Sequence, residues 1–305
     1  MNVLLNFFHG NRPLRICYTH MKESVILMDG PFIKAHIRQF LRRKLHRISD
    51  EYLGKDLSRS AVIFSPHFDD ETLGCGGTIL KKKRAEADIK IVFMTDGSKS
   101  HRHLISEETL KEIRANEALA AGRSLGLDTS DVFFLDFEET KLNEHINSAI
   151  ERVKEILLSQ KFDEIFIPYN KEPLLWSEDH LATNRIVVSA LRMLGINTVI
   201  YEYPIWFWCY WPWANTPINN LKELMHTIKM NLVSNIFLLR DLRCSVYIGD
   251  VLELKRAALD QYKSQMTRLI PDPSWSTLSD VSNGEFLECF FIDREFFHKY
   301  HFTAR

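Results

Sequence analysis

The stretch "AVIFSPHFDDETLGCGGT", from Ala61 to Thr78, joins a short apolar run to three consecutive acids and a glycine-rich segment. The run 61–64 is apolar, partly β-branched and soon followed by Pro66, a pattern typical of a buried strand. Adjacent carboxylates at the end of a buried strand repel one another, and their desolvation costs further free energy. We therefore expect a divalent metal ion near this strand end.

Strand-like and helical segments alternate from Ala61 to Pro204, which is typical of βαβ units. The expected strands are 61–65, 89–95, 131–137, 163–169 and 198–204, and the expected helices are 72–87, 106–125, 143–160 and 180–194. This order predicts an α/β fold with a mostly parallel sheet and helices on both faces. Beyond Pro204 we expect a helix over 253–266 and a late strand, "EFLECFFI", over 285–292. Ligands in such sheets bind beyond the carboxyl ends of the strands, where "PHFDDE" and "DGSKSHRH" emerge.

Composition sets limits on the class of protein. The chain has 305 residues, of which 45% are hydrophobic and 26% charged, as in an ordinary globular protein. A formal net charge of -1 gives no general attraction to nucleic acid, so we expect no nucleic-acid partner. The five cysteines are scattered without a CxxC pair, which is not the pattern of a disulfide framework or a cysteine zinc site. No apolar run reaches the length of a membrane span, and the N-terminal segment does not have the pattern of a signal peptide. We therefore expect a soluble, cytoplasmic protein.

We divide the chain into an N-terminal extension, 1–55, and a catalytic domain, 56–305. Within the extension, the segment from Pro31 to Ser49 is a basic amphipathic helix. Its apolar face is formed by Ile33, Ile37, Phe40, Leu41, Leu45 and Ile48. Two interpretations are open: the helix packs on its own domain with a solvated basic face, or it makes peripheral contact with an anionic membrane.

The residues after the first strand are suited to a metal site. His67 and Asp70 are three residues apart on a turn, and imidazole and carboxylate are common zinc ligands. The best candidate for a third ligand is His180 in "WSEDHLATN", which opens a helix at the same edge of the sheet. Asp69 would then be free to act as a general base. The alternative is that the acids cap a helix and that His67 is an ordinary surface residue.

The motif "SPHFDDETLGCGG" resembles the "PHPDDE…G.GG" signature of the PIG-L/LmbE family of metal-dependent N-deacetylases. The segments "IRANEALAAGRSLGL" (113–127) and "KRAALDQYKSQM" (255–266) are similar to two further family helices, which carry Arg-x-x-Glu and Ser-Gln. "EDH" at 178–180 resembles the end of the family motif "HPDH". The resemblance extends over about 58–300. It is specific because several separated motifs occur in the same order as in the family. It implies a Rossmann-like fold.

The resemblance also implies a function and a set of site residues. His67, Asp70 and His180 would hold zinc, or Fe²⁺ in its place, and Asp69 would be the general base. The enzyme would hydrolyse the N-acetyl group of an N-acetylglucosamine-type sugar or glycoconjugate and release acetate. Arg114 matches a family arginine and is a substrate-binding candidate, although pairing with a neighbouring acid is equally compatible with its position.

Two residues depart from the family pattern. Phe68 replaces the second proline of the signature, and Ser177 replaces the first histidine of "HPDH". In the family that histidine helps to stabilise the oxyanion, and loss of one such donor typically lowers turnover about 100- to 1,000-fold. We consider two roles for His101 and His103: they supply the missing donor, or they are solvated loop residues.

Four tryptophans lie within eight residues of the segment "WFWCYWPWANTP": Trp206, Trp208, Trp211 and Trp213. They form either a flap whose rings stack on a sugar, for which Trp208 is our candidate, or an anchor in the core or at a membrane interface.

We consider three functions for the whole chain. The first is a zinc-dependent sugar N-deacetylase. The second is a catalytically impaired relative that binds a glycan or acts beside a membrane, and the third is an amidase that acts on a larger conjugate.

Overall fold

The computed structural model describes residues 31–52, 54–172, 178–214, 231, 235–237 and 239–304. Residues 1–30 of the expected extension, Ser177 and the side chain of Ile33 lie outside this description.

Eight strands form one mixed sheet, in the order β1-β7-β8-β6-β5-β2-β3-β4. The strands are β1 (Asp50–Glu51), β2 (Ala61–Ser65), β3 (Ile89–Thr95), β4 (Val132–Phe137), β5 (Glu164–Pro168), β6 (Thr198–Tyr203), β7 (Cys244–Tyr247) and β8 (Arg294–Phe302). Neighbours among β4, β3, β2, β5 and β6 pair in parallel, whereas β8 is antiparallel to both β6 and β7. The predicted α/β fold with a mostly parallel sheet is confirmed.

Helices cover both faces of this sheet. They are α1 (Pro31–Ile48), α2 (Asp70–Arg84), α3 (Glu107–Ser124), α4 (Ile146–Ser159), α5 (Glu178–Leu194), α6 (Leu252–Leu259), α7 (Lys263–Met266) and α8 (Glu285–Glu288). The predicted start of helix α3 at Ser106 is confirmed. Ser106 caps the helix by accepting a hydrogen bond from the backbone N–H of Thr109 at 3.2 Å.

Alternate residues of each central strand enter different cores. In β2, Ala61 and Ile63 join the core beneath α2 and α3, whereas Val62 and Phe64 join the core beneath α4 and α5. Every residue of β2 is buried, which explains why the strand is apolar on both faces. Helix α2 packs so closely that a Cβ on Gly74 would lie 2.5 Å from Tyr203 Cδ2, so only glycine fits there.

The strand order places a crevice at the carboxyl ends of β2 and β5. β2 pairs with β3 on one side and with β5 on the other, so the chain winds outward in opposite directions from this point. Such a switch point is where ligands bind in open α/β sheets. The loops that carry His67 and His180 both leave the sheet here.

Two predictions beyond β6 need correction. The segment 285–292, predicted as a strand, begins with helix α8 and forms no strand; the late strand is β8. Phe286 and Phe290 are four residues apart and both buried, a spacing that suits a helix. The predicted helix 253–266 is two helices, α6 and α7, because Tyr262 adopts a non-helical ψ of 65° while its hydroxyl reaches buried Glu71 at 2.7 Å.

Helix α1 packs on the rest of the fold through part of its apolar face. Leu41 and Leu45 are buried in the core beneath α2 and α3. Phe40, predicted on that face, is 63% exposed, because it lies at the edge of the stripe formed by Leu41 and Leu45. The division into an extension and a domain at residue 55 stays a prediction. None of the described helices combines the length and apolar character that a membrane crossing needs.

Candidate metal and catalytic site

The turn between β2 and α2 brings two of the predicted ligands together. His67 Nδ1 lies 3.2 Å from Asp70 Oδ2, and the backbone N–H of His67 donates to the same oxygen at 3.2 Å. Ser65 Oγ stabilises the turn by donating to the carbonyl oxygen of His67 at 2.7 Å and accepting from the backbone N–H of Glu71 at 3.1 Å. The spacing predicted from sequence therefore produces a close histidine–carboxylate pair.

His180, in the first turn of α5, completes this group. Its Nε2 lies 3.2 Å from Asp70 Oδ2, and its ring centroid is 5.2 Å from that of His67. One ligand atom from each of His67, Asp70 and His180 lies within 4.8 Å of the others. The three residues predicted from sequence are therefore brought to one point, where they could hold a metal ion.

The surroundings of His180 fit a metal ligand better than a core histidine. The side chain is fully buried, yet neither of its ring nitrogens makes a hydrogen bond to any described residue, because the approach to Asp70 has the wrong direction. A buried imidazole with unsatisfied nitrogens is costly unless another partner binds it. Two imidazoles and one carboxylate form a ligand set typical of catalytic zinc.

Asp69 precedes α2 in a strained conformation, with φ 115° and ψ -27°. Its side chain makes no helix-capping hydrogen bond, and none of the described residues donates a hydrogen bond to its carboxylate. The carboxylate lines the site pocket instead. Burial, together with the nearby charge of Asp70, raises the pKa of Asp69 well above its usual range. Its geometry therefore disfavours a capping role and leaves it free to exchange a proton.

Asp70 differs from Asp69 although the two are adjacent and both buried. Burial alone would raise the pKa of Asp70, but the imidazoles of His180 and His67 outweigh it and lower that pKa. Two neighbouring carboxylates with pKa values moved in opposite directions can take different roles. This arrangement suits one charged ligand and one proton carrier.

Asp179 was not among the residues predicted from sequence. Its Oδ2 lies 3.1 Å from His67 Nε2 and accepts from the backbone N–H of Thr140 at 2.7 Å, while its Oδ1 accepts from Leu142 N–H at 3.2 Å. His67 thus lies between the carboxylates of Asp70 and Asp179. A carboxylate on the far nitrogen of a ligating histidine commonly fixes its tautomer and orientation.

Arg114 is buried and joins two loops of the site. Its Nη2 donates to the carbonyl oxygen of Phe68 at 2.9 Å, and its Nη1 donates to that of Gly97 at 3.1 Å and approaches Glu139 Oε1 at 3.6 Å. The guanidinium also lines the pocket. Arg114 therefore ties the loops after β2 and β3 together at the pocket wall.

Two separated sequence motifs meet behind this wall. Glu117 accepts hydrogen bonds from the backbone N–H of Ser264 at 2.8 Å and from its hydroxyl at 2.6 Å. Gln265, the next residue, lines the pocket. The acid of Arg-x-x-Glu therefore fixes the position of the Ser-Gln segment.

The site opens into a pocket of about 510 Å³. Its lining includes the polar group described above and an apolar wall formed by Ile205, Trp206, Leu278, Val281 and Phe286. The rings of Trp206 and Phe286 are stacked with centroids 5.2 Å apart. A substrate here would meet both polar groups and aromatic rings.

The remaining predicted site residues take different positions. Trp208 is buried against Trp213, with ring centroids 4.9 Å apart, and does not line this pocket, whereas Trp206 does. His101 lines the pocket, but its Nε2 lies 2.9 Å from the carbonyl oxygen of Ser276, and its ring stacks on Trp275. Burial lowers the pKa of His101. His103 lies outside the lining, 3.2 Å from Ser274 Oγ.

Residues 62–191 match the family model described as PIG-L, GlcNAc-PI de-N-acetylase. This chain contains a PIG-L family domain. The matched region includes His67, Asp69, Asp70 and His180. Trp206 and the Ser264 segment lie after it.

Solved structures share the fold of this chain at low sequence identity. N,N'-diacetylchitobiose deacetylase from Pyrococcus horikoshii has a TM-score of 0.56 and 20% identity over 87% of this chain and 92% of its own. The deacetylase of the A40926 pseudoaglycone has a TM-score of 0.52 and 15% identity, over 82% and 100%. A 4-carboxy-2-hydroxymuconate hydratase from Pseudomonas putida also matches, with a TM-score of 0.51 and 15% identity, over 79% and 95%. This fold therefore occurs in proteins with more than one activity.

The first departure from the PIG-L signature has a structural role. Phe68 is buried, and its ring lies 4.8 Å from Phe93 and 5.7 Å from Phe134, centroid to centroid. It therefore anchors the loop of the candidate metal site in the core. Ser177, the second departure, lies outside the described residues.

Proposed function

We propose that this protein is a metal-dependent hydrolase that removes the N-acetyl group from an N-acetylglucosamine-type sugar or glycoconjugate and releases acetate. The observation that carries the proposal is the convergence of His67, Asp70 and His180 at a pocket that is also lined by the unbonded carboxylate of Asp69. The PIG-L match supports the reaction class, and two of the structures that share the fold are deacetylases, one of them of N,N'-diacetylchitobiose.

Zinc is the metal we propose, with Fe²⁺ as the alternative. Two imidazole nitrogens and a carboxylate oxygen suit either ion, and they leave room for substrate on the pocket side. When bound, such an ion supplies Lewis acidity toward the acetyl carbonyl and the attacking water.

Asp69 is the residue we assign to proton transfer. Its carboxylate accepts a proton from the attacking water and then donates that proton to the departing amine nitrogen, which leaves the free amino sugar. A raised pKa suits this role, because the group must hold the proton between the two steps. The strained backbone of Asp69 directs the side chain into the pocket rather than toward the helix N-terminus.

The pocket walls position the sugar. Arg114 holds the loops of both Phe68 and Gly97, so its main role is to shape the wall beside the metal ligands. The ring of Trp206 offers an aromatic face to the apolar side of a pyranose. For His101 to donate a hydrogen bond to the oxyanion, its Nε2 must leave the carbonyl oxygen of Ser276 and bind the substrate instead.

We propose a cytoplasmic location for this chemistry. Cys75, Cys209, Cys244 and Cys289 all have free thiols, a state that fits a reducing compartment.

The test combines metal analysis with acetate release. Purified wild type should contain about one zinc per chain and release acetate from diacetylchitobiose or an N-acetylglucosaminyl conjugate. His180→Ala should lose both, whereas His301→Ala, an exposed histidine on β8, should keep both. Asp69→Asn should retain the metal but lose about 100- to 10,000-fold in turnover.

Three outcomes would refute parts of the proposal. Metal-loaded wild type that acts on no acetylated sugar would refute the deacetylase, and release of a larger acid would favour the amidase. Wild type that binds no metal would favour the glycan-binding alternative, which the Ser177 substitution suggested. Asp69→Asn with normal turnover would remove Asp69 from the mechanism.

A further inference from the structure

The basic residues of α1 fall into two groups with different surroundings. In the first half of the helix, Lys34 Nζ lies 2.6 Å and Arg38 Nη2 2.9 Å from the carboxylate of Glu285. In the second half, no acid among the described residues lies in ion-pair range of Arg42, Arg43 or Arg47. The cations of the first half thus pair with an acid, whereas in the second half Arg42 hydrogen-bonds the Cys289 thiol and none of these arginines pairs with an acid of the described structure.

The second group lines an open groove of about 430 Å³. The groove lies between the end of α1 and the start of β8, and its lining residues are Arg42, Arg43, His46, Arg47, Ile292, Asp293, Arg294 and Phe296. Four arginines and a histidine thus face one acid. Arg294 has partial compensation, because its Nη2 lies 3.5 Å from Glu51.

Helix electrostatics explain only part of this clustering. Cations near the end of a helix are favourable, which accounts for His46 and Arg47 in the last turn. That effect does not bring Arg42, Arg43 and Arg294, from two different elements, into one groove. Arg43 and Arg47 are also four residues apart, a spacing at which like charges repel. The cluster therefore favours an external anion.

An exposed aromatic residue continues this surface along α1. Phe40 is 63% exposed, and it precedes Arg43 by three residues and Lys44 by four, so all three share the outward face of the helix. The apolar residues Leu41 and Leu45 are already buried against the fold and are unavailable to another surface. A large ring beside several cations is the combination that favours the interface of an anionic bilayer.

We propose that Phe40, Arg42, Arg43, Lys44, Arg47 and Arg294 form a docking surface for the phosphate-bearing headgroups of an anionic phospholipid membrane. The groove receives a headgroup phosphate, the exposed cations contact neighbouring headgroups, and Phe40 enters the interfacial layer. The helix docks through its polar face, since its apolar face holds it to the protein.

The Arg294 end of this surface lies at the same edge of the sheet as the pocket, whereas α1 ends near the amino end of β7, where Asp50 pairs with Cys244. Arg294 begins β8 opposite Tyr247, four residues beyond the pairing of His298 with Glu202 near the carboxyl end of β6. Glu285, which binds Lys34 and Arg38, is followed directly by Phe286 of the pocket wall. The surface is independent of the proposed deacetylase activity, so either can fail alone.

Vesicle flotation of the full chain tests the surface. Wild type should float with phosphatidylcholine vesicles that contain about 30% phosphatidylserine, and much less with phosphatidylcholine alone. The binding should weaken steeply between about 0.1 M and about 0.5 M salt, because exposed charges are screened.

The decisive comparison uses two double charge reversals. Arg43→Glu/Arg47→Glu should weaken vesicle binding by more than about tenfold, since each basic residue near such a surface contributes about fivefold. Arg123→Glu/Lys161→Glu makes the same change in net charge at exposed sites outside the groove and should keep binding within about twofold. Phe40→Ser should weaken binding without changing its salt dependence. Thermal unfolding of each variant confirms that it is folded.

Several results would overturn the proposal. One is the absence of binding by wild type to anionic vesicles, and another is equal loss in the two double variants. Binding of pyrophosphate without vesicles, dependent on Arg43 and Arg47, would assign the groove to a soluble phosphate compound. Binding of a DNA duplex under the same conditions would assign it to nucleic acid.

Discussion

His67 Nε2 lies 3.1 Å from Asp179 Oδ2, so a proposed metal ligand of the first motif is oriented by a carboxylate of the second. Asp179 is itself fixed by the backbone N–H groups of Thr140 and Leu142, in the loop after β4. The loops after three strands therefore cooperate to present one imidazole. Burial would raise the pKa of Asp179, but the bond to His67 and these two N–H groups lower it, so it stays a carboxylate.

Loss of this carboxylate should weaken metal binding. We expect Asp179→Asn to lower zinc affinity about 10- to 100-fold, because His67 loses the partner that orients its ring. Titration against a competing chelator measures this. Glu178→Gln, which changes the preceding acid, is the matched control and should bind zinc like wild type. Unchanged affinity in Asp179→Asn would show that His67 needs no such partner.

Gly97 should be essential for the loop that Arg114 holds. Its φ is +64°, and a Cβ there would lie 2.5 Å from Phe68 Cδ2. Gly97→Ala must therefore accept a left-handed backbone and displace the Phe68 ring, and we expect a loss of about 2 to 4 kcal/mol in the free energy of unfolding.

Gly195 provides the matched control for this loss. Its φ is +68°, yet nothing lies within 4 Å of the added Cβ, so Gly195→Ala measures the backbone cost alone. We expect it to cost about 1 to 2 kcal/mol in denaturant unfolding. Equal losses in the two variants would mean that Phe68 moves without cost.

The contact between Phe68 and Gly97 marks a limit of sequence-based prediction. Apolar runs and their order were enough to place β2 through β6, and the position of His67 and His180 after strand ends was enough to place them at one edge. The role of Phe68 was missed, because its partners Phe93 and Phe134 come from other strands. Local periodicity carries no information on such contacts.

Segment 285–292 and Asp179 were also misinterpreted or missed because their partners are distant in sequence. The apolar segment 285–292 was interpreted as a strand, but Glu285 pairs with Lys34 and Arg38, about 250 positions away in sequence. Asp179 was missed for a similar reason, because the loop that fixes it follows β4. Its only sequence signal was its place in "EDH", directly before His180.

Trp206 should contribute to the binding of a sugar, whereas its neighbours should not. Trp206→Ala is expected to raise KM for an acetylated glycan about threefold to tenfold, because the sugar loses one aromatic ring on which it stacks. KM for a small acetamide should stay nearly unchanged. Trp211→Ala is the control, as Trp211 is equally half-buried but outside the pocket lining.

Trp208→Ala tests our original stacking candidate. The buried ring packs on Trp213, so we expect about 3 to 5 kcal/mol of lost stability and an unchanged KM in the folded enzyme. A raised glycan KM in Trp208→Ala, with normal kinetics in Trp206→Ala, would return the stacking role to Trp208.

Glu172 should make stability depend on pH. The buried carboxyl group accepts hydrogen bonds from the backbone N–H of Ile205 at 2.5 Å and of Phe207 at 2.7 Å, so it holds the segment that carries Trp206. Burial raises the pKa of Glu172 from 4.5 to about 8, although these N–H groups oppose the shift. The folded chain therefore keeps a proton that the unfolded chain loses above pH 4.5.

The sign of the effect follows from this difference in protons bound. The stabilisation is complete below pH 4.5 and is lost as pH rises through about 8, with a slope of at most about 1.4 kcal/mol per pH unit. Glu172→Gln cannot ionise, so the stability difference between wild type and variant should shrink or reverse as pH rises through this window. Denaturant unfolding between about pH 5 and about pH 9 measures it. Glu112→Gln, at an exposed glutamate of α3, should show a constant difference from wild type. If Glu172→Gln also shows a constant difference, Glu172 is ionised in the folded chain across the whole range.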